Sequence, residues 1–347
     1  MGVSRFALAA SALVGAGCAS SPPPPVVVDA GAPTSSARSA PAPSRKKGEA
    51  DAARVEADVR ALAIERSPGS AGWFAARERC ATRLASLGFE PRISRFMFPG
   101  VPSYPYTYEN VVGVKRGTSR PDEEVIVSAH YDHVSGCPGA DDDASGVAAT
   151  LEIARLLAPE RHERTLVVAC WDLEEDGLVG STYYANHAKD AGANIKLAVA
   201  LDAVGYTNRK PNAQELPPGL QTLAPRLAKK VEDGEFRGDF IALVHDPDSA
   251  DLVAPFETEA EAIGLRTGIL EVSSLERLIM NDVLRADHAS FWLAGYPAML
   301  ISDSGEFRNP GYHCWEAIDG ADTLDYPFLT QVTSATTAMV RSALDAH

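Results

Sequence analysis

The sequence predicts an α/β fold with a mostly parallel central sheet flanked by helices on both faces. Short apolar runs alternate along the chain with stretches in which apolar residues recur every three or four positions. Such alternation is typical of buried parallel strands joined by helices. Histidines or acidic residues directly follow several of the apolar runs. In open α/β sheets, sites form at these carboxyl ends of strands, so one shared site is expected there.

Two helical patterns begin the predicted domain, at residues 52–64 and 73–87, and Gly88 follows the second as a C-cap. Val147, Leu151, Ala154 and Leu157 predict a third helix, and residues 328–344 predict a terminal one. Strand-like runs lie at residues 92–98, 110–114, 125–129, 165–171, 197–201, 240–244 and 298–301. Residues 204–286 are expected to add strands and helices around the site, including 237–244 and 249–263.

Residues 1–18 are predicted to be a signal peptide. Arg5 precedes a short apolar run, small residues follow it, and the run is too short to span a bilayer. Cys18 after Gly17 resembles a bacterial lipoprotein cleavage site, at which the cysteine is lipidated, although Gly15 stands where a large aliphatic residue is usual. Ordinary secretion with cleavage near Ala19 is the alternative.

Residues 19–50 are rich in Pro, Ala and Ser, and are predicted to form an extended tether before a domain at residues 51–347. We therefore expect an exported protein that is lipid-anchored to a bacterial membrane, with a secreted or periplasmic protein as the alternative. The net charge of −15 argues against a nucleic-acid partner and against direct binding of the domain to an anionic membrane. A membrane contact is expected only through the N-terminal lipid.

Export permits disulfides, and four cysteines follow Cys18. Cys137 and Cys314 each lie beside a proposed ligand segment, so a bridge between them is one alternative. Cys170 lies in an apolar run and is expected to be a buried thiol. Cys80 lies in a helical pattern and gives no chemical signal.

Five dispersed segments each end an apolar run with a residue of the metal-ligand type. They supply two histidines and three carboxylates: His130, Asp142, Glu175, Asp202 and His313. One histidine and one carboxylate per metal, with a further carboxylate shared between them, are what a paired zinc site requires. The set favours a two-metal hydrolase.

Each segment taken alone has a plainer interpretation. Without the other segments, a histidine in a polar loop is the better interpretation of His130, although Asp132 lies where it can accept the other ring N–H. The acids at residues 141–143 also suit a solvated helix start, where the macrodipole favours negative charge. Glu174 and Glu175 also suit an exposed acidic turn, but adjacent glutamates can divide metal binding and general-base roles between them.

The segments resemble the co-catalytic dizinc aminopeptidases of peptidase family 28, clan MH. The resemblance rests on SAHYDH, GADDDASG, WDLEEDGLVGS, ALDAVGY and the late GYH, with DHASFWLAGYPAMLI between the last two. It runs from about Tyr108 to the end of the chain. It implies the phosphorylase/hydrolase-like fold of the zinc exopeptidase type and two zinc ions per chain.

The resemblance also implies a role for each matched residue. Asp142 would bridge the metals, His130 and Asp202 would hold one of them, and Glu175 and His313 would hold the other. Three further residues would serve catalysis, namely Glu174 as general base, Asp132 as the partner of His130, and Tyr312 as donor to the oxyanion. Asp287 and His288 match a segment that lines the site, without a ligand role. The remaining histidines, His133, His162, His187, His245 and His347, have no matched role and are expected at surface or structural positions.

The implied activity is metal-dependent hydrolysis of the N-terminal peptide bond of peptides. The alternatives are a glutaminyl cyclase, a carboxypeptidase or another amidohydrolase on the same fold, and a non-catalytic binding domain. The binding domain should have lost ligands or the base, and none is lost here. The chain departs from the family pattern at one place. Relatives have His-Thr-Pro-x-Asp-Thr where residues 313–319 of this chain are HCWEAID. The floor of the substrate pocket and the surroundings of His313 are therefore expected to differ from those of the relatives, but not the ligand itself.

Overall fold

A computed structural model describes residues 49–97 and 107–346 of the chain. The predicted signal peptide and nearly all of the predicted tether lie outside the described residues, as does Phe98 at the end of the first predicted strand. Within the described ranges, no helix combines the length and the apolar character needed to cross a membrane.

The described residues contain a single sheet of eight strands, with helices between them. The strands are β1 Glu90–Phe96, β2 Tyr108–Lys115, β3 Arg120–His130, β4 Arg164–Trp171, β5 Asn194–Leu201, β6 Ile241–His245, β7 Thr267–Glu271 and β8 Ala298–Ser302. The α-helices are α1 Ala52–Leu62, α2 Ala71–Ser86, α3 Gly146–Leu157, α4 Val179–Asp190, α5 Leu220–Leu223, α6 Pro225–Asp233, α7 Val253–Ile263, α8 His288–Ala294 and α9 Tyr326–Asp345.

The strand order across the sheet is β1-β2-β4-β3-β5-β8-β6-β7. The central strands β4, β3, β5 and β8 run parallel, and so do β6 and β7. The pairings β1 with β2, β2 with β4, and β6 with β8 are antiparallel. The α/β fold class is thus confirmed, with a mixed sheet whose centre is parallel.

Alternate residues of the central strands point to opposite faces of the sheet, and both faces are buried. Val125 and Val127 of β3 pack in the core that contains α3 and α9, whereas Ile126 packs in a second core with α4 and α8. Each of these three side chains has no exposed surface. A strand that is covered on both faces reads as a continuous apolar run, which is why the central strands are evident in the sequence.

The predicted elements are confirmed at most positions, with ends that shift by a few residues. The first helix, α1, begins where it is predicted, and the side chain of Asp51 caps it by accepting from the backbone N–H of Ala53 and Arg54. The short strand β7 was not distinguished within the region 204–286. Its five positions are mostly half-buried, with one buried and one exposed, so it gives no clean apolar run.

The expectation of a free buried thiol at Cys170 is wrong. Helix α2 packs against β4 and brings Cys80 within 6.6 Å of Cys170, Cα to Cα, and the two form a disulfide. This pairing is not evident in the sequence, because the partners lie 90 residues apart on different elements. The second disulfide joins Cys137 and Cys314, which is the alternative raised from their positions beside ligand segments.

The two-faced core predicts a contrast between two isoleucines on strands. Ile126→Ala, at a fully buried site, should lower the free energy of unfolding by about 2–5 kcal/mol, since it removes buried methyl groups and leaves a cavity. Ile93→Ala is the matched control, since Ile93 is 78% exposed, and should change stability by less than about 0.5 kcal/mol. Urea unfolding of both variants measures the difference. Equal losses would contradict the burial of β3 on both faces.

Candidate metal centre

Three neighbouring strands deliver predicted ligands to one edge of the sheet. His130 is the last residue of β3, the Glu174–Glu175 pair follows β4, and Asp202 directly follows β5. Strand β3 lies between β4 and β5, and His130 is in register with Trp171 at the end of β4. The carboxyl ends of parallel strands meet at the same edge, which brings these distant residues together.

Asp142 lies between two imidazoles. Its Oδ1 is 3.1 Å from Nε2 of His130, and its Oδ2 is 3.2 Å from Nε2 of His313. The side chain is almost fully buried, in an irregular turn that precedes α3. One carboxylate that faces a different histidine with each oxygen has the arrangement of a bridging ligand.

The other predicted ligands complete a donor set on each side of Asp142. Donor atoms of His130, Asp142 and Asp202 lie within 4.8 Å of one another. On the other side, Nε2 of His313 is 3.0 Å from Oε2 of Glu175. All five predicted ligands therefore converge in one place. Glu174 is buried beside them, with its Oε2 4.0 Å from Nε2 of His130.

His133 also lies in this centre, so a surface position is wrong for it. Its side chain is fully buried, and its Nδ1 is 2.8 Å from Oε1 of Glu175. Donor atoms of His133, Asp142 and Glu175 lie within 4.8 Å of one another. The sequence contained a signal, since His133 lies only three residues after His130 in the HYDH segment. The motifs, however, assign no role to His133.

The neighbouring acids hold the ligand loops in place. The carboxylate of Asp132 accepts hydrogen bonds from the backbone N–H of Glu174 and Glu175, at 3.0 and 3.2 Å. The Nδ1 of His130 faces the backbone carbonyl of Asp132 at 3.2 Å, whereas the carboxylate is 3.7 Å away. The His130 ring is thus paired with the backbone carbonyl of Asp132 and not, as expected from the sequence, with the carboxylate. The carboxylate of Asp132 orients the glutamate pair instead.

Asp143 and Asp141 tie the turn at Asp142 to the other ligand strands. Asp143 accepts from the backbone N–H of His130, at 3.2 Å, and of Ala203, also at 3.2 Å. Asp141 accepts from the backbone N–H of Gly205 at 2.8 Å. Because these carboxylates cross-link the ends of β3 and β5, the position of Asp142 is fixed relative to both strands.

Two supporting residues were missed from the sequence. Arg66 is fully buried, and its guanidinium donates to the carbonyls of Leu62, Tyr131, Pro138, Gly139 and Asp142. Asp319 is also fully buried and accepts from the backbone N–H of Asp141 and of Asp142, at 2.9 and 3.1 Å. Asp319 ends the segment that departs from the family pattern, so that segment still supports the ligand turn.

The loop that carries His313 is held by covalent and stacking contacts. The disulfide between Cys137 and Cys314 joins it to the loop after His130. The ring of Tyr312 stacks on the ring of His313 with centroids 4.1 Å apart. His313 itself has a φ of 50°, which a non-glycine residue adopts only where its surroundings enforce it.

The electrostatics of the centre suit cations. Burial raises the pKa of Asp202 to about 7, and the charge of Asp142 adds to this effect. Burial likewise raises the pKa of Glu174 well above its ordinary value, with Asp202, Asp287 and Glu175 adding to it and His130 opposing it. Asp287 is buried and its pKa rises to about 7, first through burial. Carboxylates crowded in this way are stabilised as anions by bound divalent ions.

The donor set fits zinc on its chemistry. Imidazole nitrogens and carboxylate oxygens are ordinary zinc ligands. Nε2 of His313, both ring nitrogens of His133 and Oε1 of Glu175 are buried and have no hydrogen-bond partner among the described residues. Buried polar atoms without a partner are unusual, and a shared cation would satisfy them.

An apolar cavity of about 160 Å³ opens beside the centre. Asp202 and Tyr312 lie on the wall that faces the ligands. The other walls come from residues 214–231, 240–244, 280–286 and 300–307, together with Leu270. Its apolar lining includes Leu220, Val231, Phe240, Ala242, Val244, Leu270, Met280, Val283 and Leu300. Arg285 lies at the same cavity and donates from Nη2 to the hydroxyl of Tyr312 at 3.2 Å.

The fold is of the α/β class, and the donor set has the composition of a metal site. Residues 110–239 match the sequence model of peptidase family M28. This region of the chain is thus similar to the family that the five motifs predict. The match covers His130, Asp142, Glu175 and Asp202 but ends before His313.

Two sequence relatives match part of this chain. The uncharacterized protein YfbL of Escherichia coli is 32% identical over 220 residues, which cover 60% of this chain and 63% of YfbL. A probable zinc metalloprotease of Leptosphaeria maculans is 32% identical over 213 residues, which cover 58% of this chain and 48% of that protein. The chain thus spans less than two thirds of the length of these relatives.

Solved structures show the fold. A zinc aminopeptidase from Bacillus subtilis superposes with a TM-score of 0.64 at 16% identity, covering 86% of this chain and 97% of that chain. A glutaminyl cyclase from Porphyromonas gingivalis superposes with a TM-score of 0.58 at 20% identity, covering 84% of this chain and 98% of that chain. At such identities the superpositions show the fold alone.

The role of Asp319 predicts a measurable loss. Asp319→Ala should lower the free energy of unfolding by about 1–3 kcal/mol, because it leaves buried backbone N–H groups of the ligand turn without a partner. It should also weaken zinc binding, since Asp142 lies on that turn. Thermal unfolding and titration of the metal-free protein with zinc measure the two effects.

Asp322→Ala is the control for this variant. Asp322 lies three residues further along the chain, its side chain is 89% exposed, and it pairs at the surface with Arg60. Removing it should change stability by less than about 1 kcal/mol and leave zinc affinity unchanged. If the two variants behave alike, Asp319 does not support the ligand turn.

Proposed function

We propose that the protein is a zinc-dependent aminopeptidase that hydrolyses the N-terminal peptide bond of peptides at a centre of two zinc ions. The observation that carries the proposal is the position of Asp142, whose two oxygens face His130 and His313 about 3 Å away. A donor set on each side of one carboxylate matches what a two-metal hydrolase needs. The family match over residues 110–239 supports the same reaction class.

Each zinc position would have its own donors. His130 and Asp202 would hold one ion, Glu175 and His313 the other, and Asp142 would contribute to both. Two zinc ions in such a site supply Lewis acidity and lower the pKa of a water molecule to near neutrality. The remaining chemistry belongs to side chains of this chain.

Glu174 is the proposed general base. Its backbone N–H is held by Asp132, and its carboxylate lies beside the ligands without belonging to the predicted donor sets. It would accept a proton from the attacking water and then deliver it to the departing amine. Burial of Glu174 favours proton uptake, because it raises the pKa of this side chain.

Tyr312 is the proposed donor to the developing oxyanion. Burial, with the charge of Asp142 adding to it, raises the pKa of Tyr312, so the phenol keeps its proton. The hydroxyl oxygen accepts from Arg285, which leaves the phenolic hydrogen free to be donated elsewhere. A preorganised O–H aimed at the site can stabilise the charge that forms on the carbonyl oxygen.

The charge balance of the centre favours a substrate amine over a substrate carboxylate. Five buried or nearly buried carboxylates face the site, namely Asp142, Glu174, Glu175, Asp202 and Asp287. Two divalent ions would leave these five groups with a net charge of about −1 if all of them are ionised. A residual negative charge attracts the α-ammonium group of a peptide. This supports an aminopeptidase rather than a carboxypeptidase.

The apolar cavity is the proposed site for the side chain of the N-terminal residue. It begins at Asp202 and Tyr312, so a substrate whose scissile carbonyl lies at the centre can place its first side chain there. The lining favours aliphatic or aromatic side chains over charged ones. Glutaminyl cyclase activity is the alternative to exclude, because one structural relative carries that name.

We further propose that the protein is exported and acts on peptides outside the cytoplasm, held to a bacterial membrane by a lipid on Cys18. The proposal rests on the sequence of residues 1–18 and of the Pro-rich segment after it. Mass spectrometry of the mature N-terminus tests it. An unmodified terminus at another residue would exclude the lipid.

Glu174→Gln distinguishes the loss of the general base from the loss of a metal ligand. The variant should retain two zinc ions per chain but lose at least about 100-fold in kcat, since the amide cannot accept the proton. Asp142→Ala should instead reduce zinc content, because it removes the shared ligand. Elemental analysis and hydrolysis of leucyl-4-nitroanilide, with and without a chelator, distinguish the two outcomes.

An exposed-site variant, Glu257→Gln on α7, serves as the control and should match the unaltered protein in both measurements. Full turnover by Glu174→Gln would remove its role as base. Release of ammonia from peptides with N-terminal glutamine, without hydrolysis of the nitroanilide, would replace the aminopeptidase assignment with that of a cyclase.

Filling the cavity should change substrate preference. Ala242→Leu on β6 adds a branched side chain to the cavity wall. It should lower kcat/KM for leucyl and phenylalanyl substrates by about 10- to 100-fold and spare alanyl substrates, since pocket contacts of this size are worth about 1–3 kcal/mol. A series of aminoacyl-4-nitroanilides measures the ratio. An unchanged ratio would place the specificity pocket elsewhere.

A further inference from the structure

His133 has the surroundings of a ligand rather than of a structural histidine. It follows β3 by three residues and is fully buried. Its ring lies edge-on to the ring of His313, with centroids 5.7 Å apart. A Cβ added at Gly139 would lie 2.5 Å from Cδ2 of His133, so the chain passes as close to this ring as a glycine allows.

The contact between His133 and Glu175 is close but is not a hydrogen bond. Nδ1 of His133 lies 2.8 Å from Oε1 of Glu175, yet neither atom has a hydrogen-bond partner within the described residues. Two polar atoms this close that do not point at one another are arranged like ligands around a shared ion. Donor atoms about 2.0–2.2 Å from one tetrahedral zinc lie roughly 3.3 Å apart.

The same signature marks His313, which the motifs assign as a ligand. Its Nε2 lies 3.0 Å from Oε2 of Glu175 and 3.2 Å from Oδ2 of Asp142, again without a hydrogen bond. The two oxygens of Glu175 thus face two different imidazoles. If His133 only oriented Glu175, its ring N–H would be directed at Oε1, and it is not.

We propose that His133 is a third imidazole ligand of the centre and binds the zinc ion that is held by Glu175, Asp142 and His313. The inference rests on the two-metal centre of the proposed function. It makes the two positions unequal, since the Glu175 side gains four protein ligands and the His130 side has three. The first equivalent of metal should therefore bind on the Glu175 side.

Cobalt substitution tests this inference without an activity assay. The full chain is freed of metal with a chelator and loaded with two equivalents of Co²⁺. Paramagnetically shifted, exchangeable imidazole N–H signals in proton NMR spectra then count the histidine ligands. The unaltered protein should give three such signals, and His133→Ala should give two. In a cobalt titration, His133→Ala should bind the first equivalent of Co²⁺ at least tenfold more weakly than the unaltered protein does.

Two further variants make the result specific. His133→Asn keeps an N–H donor near the position of Nδ1 but is a poor ligand, so it should behave like His133→Ala. His187→Ala is the matched control, because His187 is exposed on α4 and should leave all three signals in place. Circular dichroism checks that each variant is folded.

Different results overturn different claims. Two signals in the unaltered protein, or normal cobalt affinity in His133→Asn, would show that His133 is at most a hydrogen-bond partner of Glu175. Three signals in a protein that does not hydrolyse any aminoacyl substrate would support the ligand while removing the proposed function. Failure to bind cobalt at all would remove both.

Discussion

The structure depends on one buried carboxylate that must face two imidazoles. Asp142 has low exposure, and burying such a charge is unfavourable unless partners compensate for it. Burial alone would raise its pKa, but the close approach of the His130 and His313 imidazoles outweighs burial and holds the pKa well below its ordinary value. The fold brings these two histidines, from distant parts of the sequence, to different oxygens of the same side chain.

The fold places the ligands around Asp142 by holding the backbone of the ligand loops, and not by holding the ligand side chains themselves. Asp132, Asp143 and Asp319 each use a buried carboxylate to accept backbone N–H groups of the ligand loops. The guanidinium of Arg66 donates to backbone carbonyls of the same loops, including those of Tyr131 and Gly139. Donors and acceptors of the main chain are thereby satisfied where the loops leave regular structure. The ligand side chains remain free to turn toward the centre, which is the condition for binding metal with little rearrangement.

A feature of the fold or of the site could be predicted from the sequence where neighbouring residues indicate it, and was missed where it depends on residues far apart in the chain. The strands around β3 were evident because both of their faces are buried, and the ligands were evident because each lies in a short motif. Arg66 and the Cys80–Cys170 disulfide were missed because their partners lie far along the chain. His133 was missed for another reason. It lies in the HYDH segment beside His130, but the motifs assign it no role, and its place in the centre is evident only from its distance to Glu175.

Anomalous X-ray scattering at the zinc edge, from crystals of the zinc-loaded protein, shows directly whether the five ligands form one paired centre. Two zinc peaks about 3.5–4 Å apart are expected, with the carboxylate of Asp142 between them. Glu174 should lie beside them without binding either one. A single peak, or two peaks that do not share Asp142, would show that the five converging ligands do not form one paired centre.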